Sequence, residues 1–184
     1  MNATEYCDSH WIAKQVYKNL RSKRHQQRFD VIAESLKQCT GKRFADVGCG
    51  CGHSTVALAK RVKGDWLGID FAESVIIEGK KIFPDFPLAY CDDIQNIKSF
   101  GTFSGVVCSE VIEHVEDSKA FIGYLWEITE DVLVLTTPHI RIVDPGHLRL
   151  YDLETIRRDM GEIPYVVKVV GDFFYIVAKR EWNK

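Results

Sequence analysis

No stretch of this 184-residue chain approaches the roughly 18 consecutive apolar residues that a membrane span requires. The opening Met1-Asn2-Ala3-Thr4-Glu5-Tyr6 has neither a basic start nor an apolar run, so no signal peptide is expected and the chain reads as cytoplasmic. The six cysteines include no Cys-x-x-Cys pair, which argues against zinc and dithiol redox chemistry. Cys49, Cys51, Cys91 and Cys108 are therefore expected as reduced, structural thiols in or beside strands. Charge of one sign is also lacking: 24 Lys and Arg against 26 Asp and Glu leave a net charge of -2, which marks neither a polyanion binder nor its opposite. Internal repeats and low-complexity segments are missing too. What remains, 46% hydrophobic and 27% charged residues, is an ordinary composition with enough apolar mass for one sizeable core.

Charge is distributed unevenly. Between Trp11 and Phe29 there is no acidic residue, while Lys14, Lys18, Arg21, Lys23, Arg24 and Arg28 are all basic. Apolar residues at Ile12, Val16 and Leu20, then Phe29, Ile32, Ala33 and Leu36, recur at helical spacing and predict two amphipathic helices within residues 10–38. The basic run reads either as a solvated helix face or as a lid over an anionic substrate or nucleic-acid backbone. Beyond Gly41 the rhythm changes. Strands are expected at Phe44–Gly48, Trp66–Asp70, Leu88–Cys91, Gly105–Ser109 and Val132–Thr136, separated by helices at His53–Val62, Ala72–Ile82 and Ser118–Thr129. Such alternation implies a parallel sheet covered on both faces. A polar loop from Pro138 to Leu150, a short helix at Asp152–Met160 and a hairpin of Tyr165–Val170 with Phe173–Lys179 close the chain.

The most informative segment is Asp46-Val47-Gly48-Cys49-Gly50-Cys51-Gly52-His53-Ser54-Thr55, between the first strand and the helix after it. Glycines at such a turn permit positive φ and close backbone approach, and the helix start favours an anionic group, so a nucleotide-like cofactor is implied. The Gly-x-Gly-x-Gly spacing departs from the Gly-x-Gly-x-x-Gly fingerprint of dinucleotide folds.

This loop, the acidic Asp70 ending the second strand, Cys91-Asp92-Asp93-Ile94 after the third and Ser109-Glu110-Val111-Ile112-Glu113-His114-Val115 after the fourth together resemble the class I S-adenosylmethionine-dependent methyltransferases. The resemblance spans about residues 40–180. It implies a doubly wound, seven-stranded Rossmann-like α/β sheet with its last strand antiparallel, preceded by N-terminal helices. Residues 1–40 would form a helical lid and 41–184 the methyltransferase domain. The resemblance also assigns cofactor contacts. Asp46 with the backbone of Gly48, Cys49, Gly50 and Gly52 would hold the amino-acid end, and Asp70, with Phe71 beside it, would accept the ribose hydroxyls. Asp92 would take the adenine amino group, the Asp93 or Ile94 amide a ring nitrogen, and Ser109 would close the site. Asp70, Asp92 and Asp93 could instead act as helix caps.

For the methyl acceptor, Glu110, Glu113 and His114 stand at i, i+3 and i+4, which predicts one shared helical face. With His147 they resemble the Glu-x-x-Glu-His sets of metal-dependent small-RNA 2′-O-methyltransferases and of some ubiquinone-pathway O-methyltransferases. Glu110, Glu113, His114 and His147 would then suit Mg²⁺, Mn²⁺ or Zn²⁺. Without metal, Glu110, His114 and His147 remain catalytic candidates lining the pocket. His139, Arg141, His147 and Arg149 make the Pro138–Tyr151 loop the expected acceptor contact. The acceptor expected is a small molecule methylated at oxygen, with RNA as the alternative substrate and a non-catalytic S-adenosylmethionine-binding protein as the alternative class. A homodimer could complete acceptor recognition, and no membrane partner is expected.

Overall fold

A computed structural model describes residues 22–140 and 146–183. The first expected N-terminal helix, with Lys14, Lys18 and Arg21, lies outside the described residues, as does Arg141.

The second helix, α1 (Lys23–Leu36), starts at Ser22, whose hydroxyl accepts from the His25 amide. Strands β1 (Arg43–Val47), β2 (Asp65–Asp70), β3 (Leu88–Tyr90), β4 (Phe103–Ser109) and β5 (Thr129–Pro138) follow, linked by α2 (His53–Ala59), α3 (Glu73–Ile82) and α4 (Ser118–Glu127). After α5 (Leu153–Met160) the chain closes with the hairpin β6 (Tyr165–Val170) and β7 (Phe173–Lys179). The order across the sheet is β3-β2-β1-β4-β5-β7-β6, with β7 antiparallel to both neighbours and the remaining pairs parallel. The expected seven-stranded, doubly wound sheet is therefore present, with β7 as its antiparallel strand. Strand order reverses between β1 and β4, the point where open α/β sheets place a ligand cleft.

The strands read as near-continuous apolar runs because both faces are covered. Their two-residue period sorts them. Leu133 and Leu135 of β5, with Phe174, Ile176 and Ala178 of β7, pack on one face against Phe121, Leu125 and Ile156 of α4 and α5. Val132, Val134, Phe173, Tyr175 and Val177 pack on the other against Phe29, Ile32 and Leu36 of α1 and Leu58 of α2. The helix assigned to a lid by the sequence thus also contributes four core side chains, Phe29, Ile32, Ala33 and Leu36.

Strands β4 and β5 run longer than expected, and two helix ends differ for local reasons. The α4 helix ends at Glu127 rather than Thr129, since buried Ile128 and the Thr129 hydroxyl, which donates to Leu125 O at 2.7 Å, turn the chain directly into β5. The α2 helix stops at Ala59, where Arg61 N bonds Leu58 O in a tighter turn.

Candidate active site

The glycine loop leaves β1 and is fixed by two buried carboxylates. Asp46 Oδ2 accepts from the Ser54 and Thr55 hydroxyls at 2.8 and 2.7 Å, which ties the end of β1 to the first turn of α2. Asp70 Oδ2 accepts from Gly50 N at 2.7 Å and Oδ1 from Ala72 N at 2.9 Å, so one carboxylate both holds the loop and starts α3. Burial raises the pKa of each, and these hydrogen bonds oppose the rise by favouring the ionised form. Of the two expected roles for Asp70, the contact with the Ala72 amide stands just before the helix, whose N-cap is Ala72 itself. An ionised carboxylate has about four lone-pair sites, so two amides leave acceptor capacity for hydroxyls.

Gly48, Gly50 and Gly52 all have positive φ. A side chain at Gly48 would strike Val111 at 2.3 Å, whereas one at Gly50 would meet nothing within 4 Å. That open space on the loop, beside Asp70, is where a cofactor can approach the backbone. Cys49 and Cys51 are buried, and burial lifts both thiols, Cys51 to about 11, so they stay protonated. The expectation of structural thiols fits this placement.

Farther along the cleft, Asp93 caps a 3₁₀ turn (Ile94–Phe100) through the Gln95 amide at 2.9 Å. Asp92 accepts from Asp93 N and Asn96 Nδ2, both at 2.9 Å, and remains exposed. Ser109, at the end of β4, shares a 2.8 Å hydrogen bond with the Thr136 hydroxyl. Phe71 packs edge-on against Phe121 at 5.8 Å between ring centroids.

The shared helical face expected for Glu110, Glu113 and His114 is not formed. Glu110 has φ 60°, a left-handed conformation rare for a residue with a side chain, and only Ile112–His114 makes a 3₁₀ turn. The sharp turn gives the two carboxylates different partners. Glu110 accepts from Thr136 Oγ1 at 3.2 Å and lies 3.5 Å from Arg28 Nη1. Glu113 is buried, accepts from Thr137 Oγ1 at 3.1 Å and leaves Oε1 without a hydrogen-bond partner. Burial lifts Glu110 to about 7, against the pull of Arg28, and lifts Glu113 well above the carboxylate range with Glu110 adding to the effect.

Glu113, His114 and His147 come together, each offering a ligand atom within 4.8 Å of the others. Glu110, expected as a fourth ligand, falls outside this group and pairs with Arg28 instead. The His114 and His147 rings meet edge-on at 4.7 Å, and His114 Nδ1 lies 2.9 Å from Gly146 O. A carbonyl only accepts, so Nδ1 donates and Nε2 is the acceptor nitrogen of the neutral ring, the arrangement metal-binding imidazoles favour. The Glu113 carboxylate, whose Oε1 is orphaned, and the two imidazoles fit a divalent cation.

Two expected acceptor contacts are engaged elsewhere. His139 bonds Gly171 O at 2.9 Å through Nε2, fastening the end of β5 to the β6–β7 turn. Arg149 donates to Ser118 Oγ and Glu116 O. Conversely, Arg28 matters more than its place in a basic run suggests. It is buried, its Nε and Nη1 lack hydrogen-bond partners, and it is near enough to Asp46, Glu110 and Glu113 to favour the ionised form of each. Its position one residue before the core residue Phe29 was the available signal.

A switch-point cleft, a carboxylate-held glycine loop and an acidic residue ending β2 define an α/β domain built for an adenosyl cofactor. Residues 44–130 match the family model described as "Methyltransferase domain". This match is consistent with the class I S-adenosylmethionine-dependent methyltransferase family. It is 35% identical over 101 residues to a ubiquinone biosynthesis O-methyltransferase of Rhodopseudomonas palustris (strain HaA2), covering 53% of this chain and 39% of that protein. The chain therefore spans well under half the length of that curated relative. Among solved structures, a SAM-dependent methyltransferase from Archaeoglobus fulgidus superposes with TM-score 0.69 at 18% identity, covering 94% of this chain and all of that one. Magnesium protoporphyrin IX methyltransferase of Synechocystis PCC 6803, with bound SAM, gives 0.63 at 20% identity, covering 85% and 79%. S-adenosylmethionine is the cofactor of this family. The residues present fit it: Gly50 faces open space beside Asp70, and the buried Arg28, ion-paired with Glu110, holds two nitrogens without hydrogen-bond partners. No helix among the described residues is long and apolar enough to cross a membrane.

Proposed function

We propose that this chain transfers a methyl group from S-adenosylmethionine to an oxygen of a small-molecule acceptor. The observation that carries the reading is Glu110, placed just after β4 with a left-handed backbone and held between Arg28 and Thr136, where burial lifts its carboxyl to about 7. A base serves best when its pKa lies near the working pH, and an acceptor hydroxyl needs one. When bound, the cofactor supplies a methyl group on a sulfonium, so alignment and exclusion of water carry most of the rate. In this reading Asp70 and the Gly48–Gly52 backbone hold the cofactor, with Asp46 fixing the loop and Asp92, Asp93 and Ile94 bordering the adenine end. Arg28 donates to the cofactor carboxylate and keeps Glu110 from rising further. His114 and His147 face the acceptor. The relatives named as O-methyltransferases support oxygen as the accepting atom. RNA is less favoured, because Arg24 is paired with Asp172 at 3.1 Å and Arg28 is buried, leaving fewer cations of the basic run for a phosphate backbone.

Titration calorimetry with S-adenosylhomocysteine and labelling of a cell extract with methyl-labelled cofactor test the proposal. Binding, plus a labelled small molecule that disappears with Glu110→Gln, is the expected result. Binding without transfer to anything would favour the non-catalytic alternative, and absence of binding would end both. The Glu113, His114 and His147 cluster supports a second reading, in which a divalent cation on these residues supplies Lewis acidity to the acceptor oxygen. Activity indifferent to chelation, in protein that purifies without metal, would remove it.

A further inference from the structure

In the segment 146–151, which carries His147, Leu148 and Leu150 are half exposed and Tyr151 supplies the apolar anchorage. Polar contacts fasten the rest. Before and beside His147, Gly146 O receives His114 Nδ1 and Leu148 N donates to Glu113 O, both at 2.9 Å. After it, Tyr151 donates to Asp159 Oδ2 at 2.9 Å, and Arg149 Nη1 donates at 2.6 Å to Ser118 Oγ, which itself donates to the same Asp159 oxygen at 2.5 Å. Asp159 Oδ1 takes Arg158 Nε at 2.7 Å. Asp159 lies in α5, 2% exposed, and of the residues just named only Glu113, His114 and His147 belong to the candidate site.

We infer that Asp159 is a positioning residue, which through Tyr151 and the Ser118–Arg149 pair sets His147 against Glu113 and His114. The argument rests on the site proposed above. The α5 helix does not need Asp159 to dock, because Ile156 and Met160 are buried in the core on the same helix. What Asp159 adds is one oxygen shared by two hydroxyls, one at the start of α4 and one at the end of the His147 segment. Charge-assisted hydrogen bonds of this kind fix geometry as well as adding energy, and an unpaired buried carboxylate would be costly, so the three groups hold one arrangement. A site looser by an ångström loses much of its rate, which makes a remote clamp worth maintaining.

Tyr151→Phe, Ser118→Ala and Asp159→Asn test this in the full chain. With histidine-labelled protein, ring-proton cross-relaxation between His114 and His147 reads their separation directly, 4.7 Å between centroids in the intact clamp. The expected result is a weakened or lost cross-peak in all three variants with S-adenosylhomocysteine affinity unchanged, and a fall in kcat of about tenfold or more without a rise in cofactor KM. A cross-peak of full intensity, with a lowered Tm as the sole change, would overturn the inference, because it would make Asp159 a stability residue only. Should Asp159→Asn fail to fold, Tyr151→Phe decides, since it removes one hydroxyl and keeps the ring. If the wild type does not bind S-adenosylhomocysteine, the proposed function falls while the histidine contact still judges Asp159.

Discussion

Replacing Glu110 with glutamine should make the protein more stable and less active, with the stability gain growing as pH rises. The magnitude follows from the carboxyl's displacement from 4.5 to about 7 in the fold. Between those values the native state keeps a proton that the unfolded chain releases, so native stability is fully present below 4.5 and lost progressively as pH climbs toward 7. Two and a half units at about 1.4 kcal/mol each give about 3.5 kcal/mol as an upper bound. The Glu110 side chain is 24% exposed, which trims that figure. Glutamine stands in for the protonated form at every pH and leaves the φ of 60° unchanged, so backbone strain cancels in the comparison. Other titrating groups cancel as well, apart from Glu113, whose ionisation becomes easier once Glu110 is neutral and which moves the difference the same way. Urea denaturation of wild type and variant at pH 5 and pH 8 measures it. The expected advantage of Glu110→Gln is under about 1 kcal/mol at pH 5 and about 2–3 kcal/mol at pH 8. An advantage independent of pH would refute the claim that Glu110 ionises with difficulty, and with it the argument for Glu110 as a base.

Gly48→Ala and Gly50→Ala should separate folding from binding. The former drives a methyl into Val111 and lowers Tm, while the latter costs the positive-φ penalty of about 1 kcal/mol and chiefly weakens S-adenosylhomocysteine binding in calorimetry. Asp70→Asn keeps the shape but halves the acceptor set that holds Gly50 and Ala72, so cofactor affinity should fall about tenfold or more while the far-ultraviolet spectrum is retained. Ile32→Ala should cost about 2–5 kcal/mol in denaturant unfolding, as for any fully buried core side chain, and a cost near zero would show that α1 is not part of the folding unit.

The order of strands and helices is legible in the sequence because the parallel strands are short apolar runs, the first two closed by glycine or aspartate at Val47-Gly48 and Ile69-Asp70. Helical spacing likewise shows Phe29, Ile32 and Leu36 as one buried stripe. The acceptor side is less legible. Spacing at i, i+3 and i+4 describes Glu110, Glu113 and His114 only if the backbone between them is helical, and the left-handed Glu110 breaks that premise. Nor does local pattern reveal that Arg28 reaches across to Glu110, or that Thr136 and Thr137 at the end of β5 give hydroxyls to two different carboxylates, since these are contacts between segments far apart in the chain. Arg149 and His139 look like substrate contacts by residue type alone, and their hydrogen bonds show them fastening the loop instead.

The Asp70 carboxylate bridges Gly50 and Ala72, and Asp46 likewise locks the start of α2. The conformational entropy of ordering the cofactor loop is consequently spent during folding, not during association. Cofactor capture should then behave as entry into a rigid socket, sparing the complex the cost of immobilising a loop.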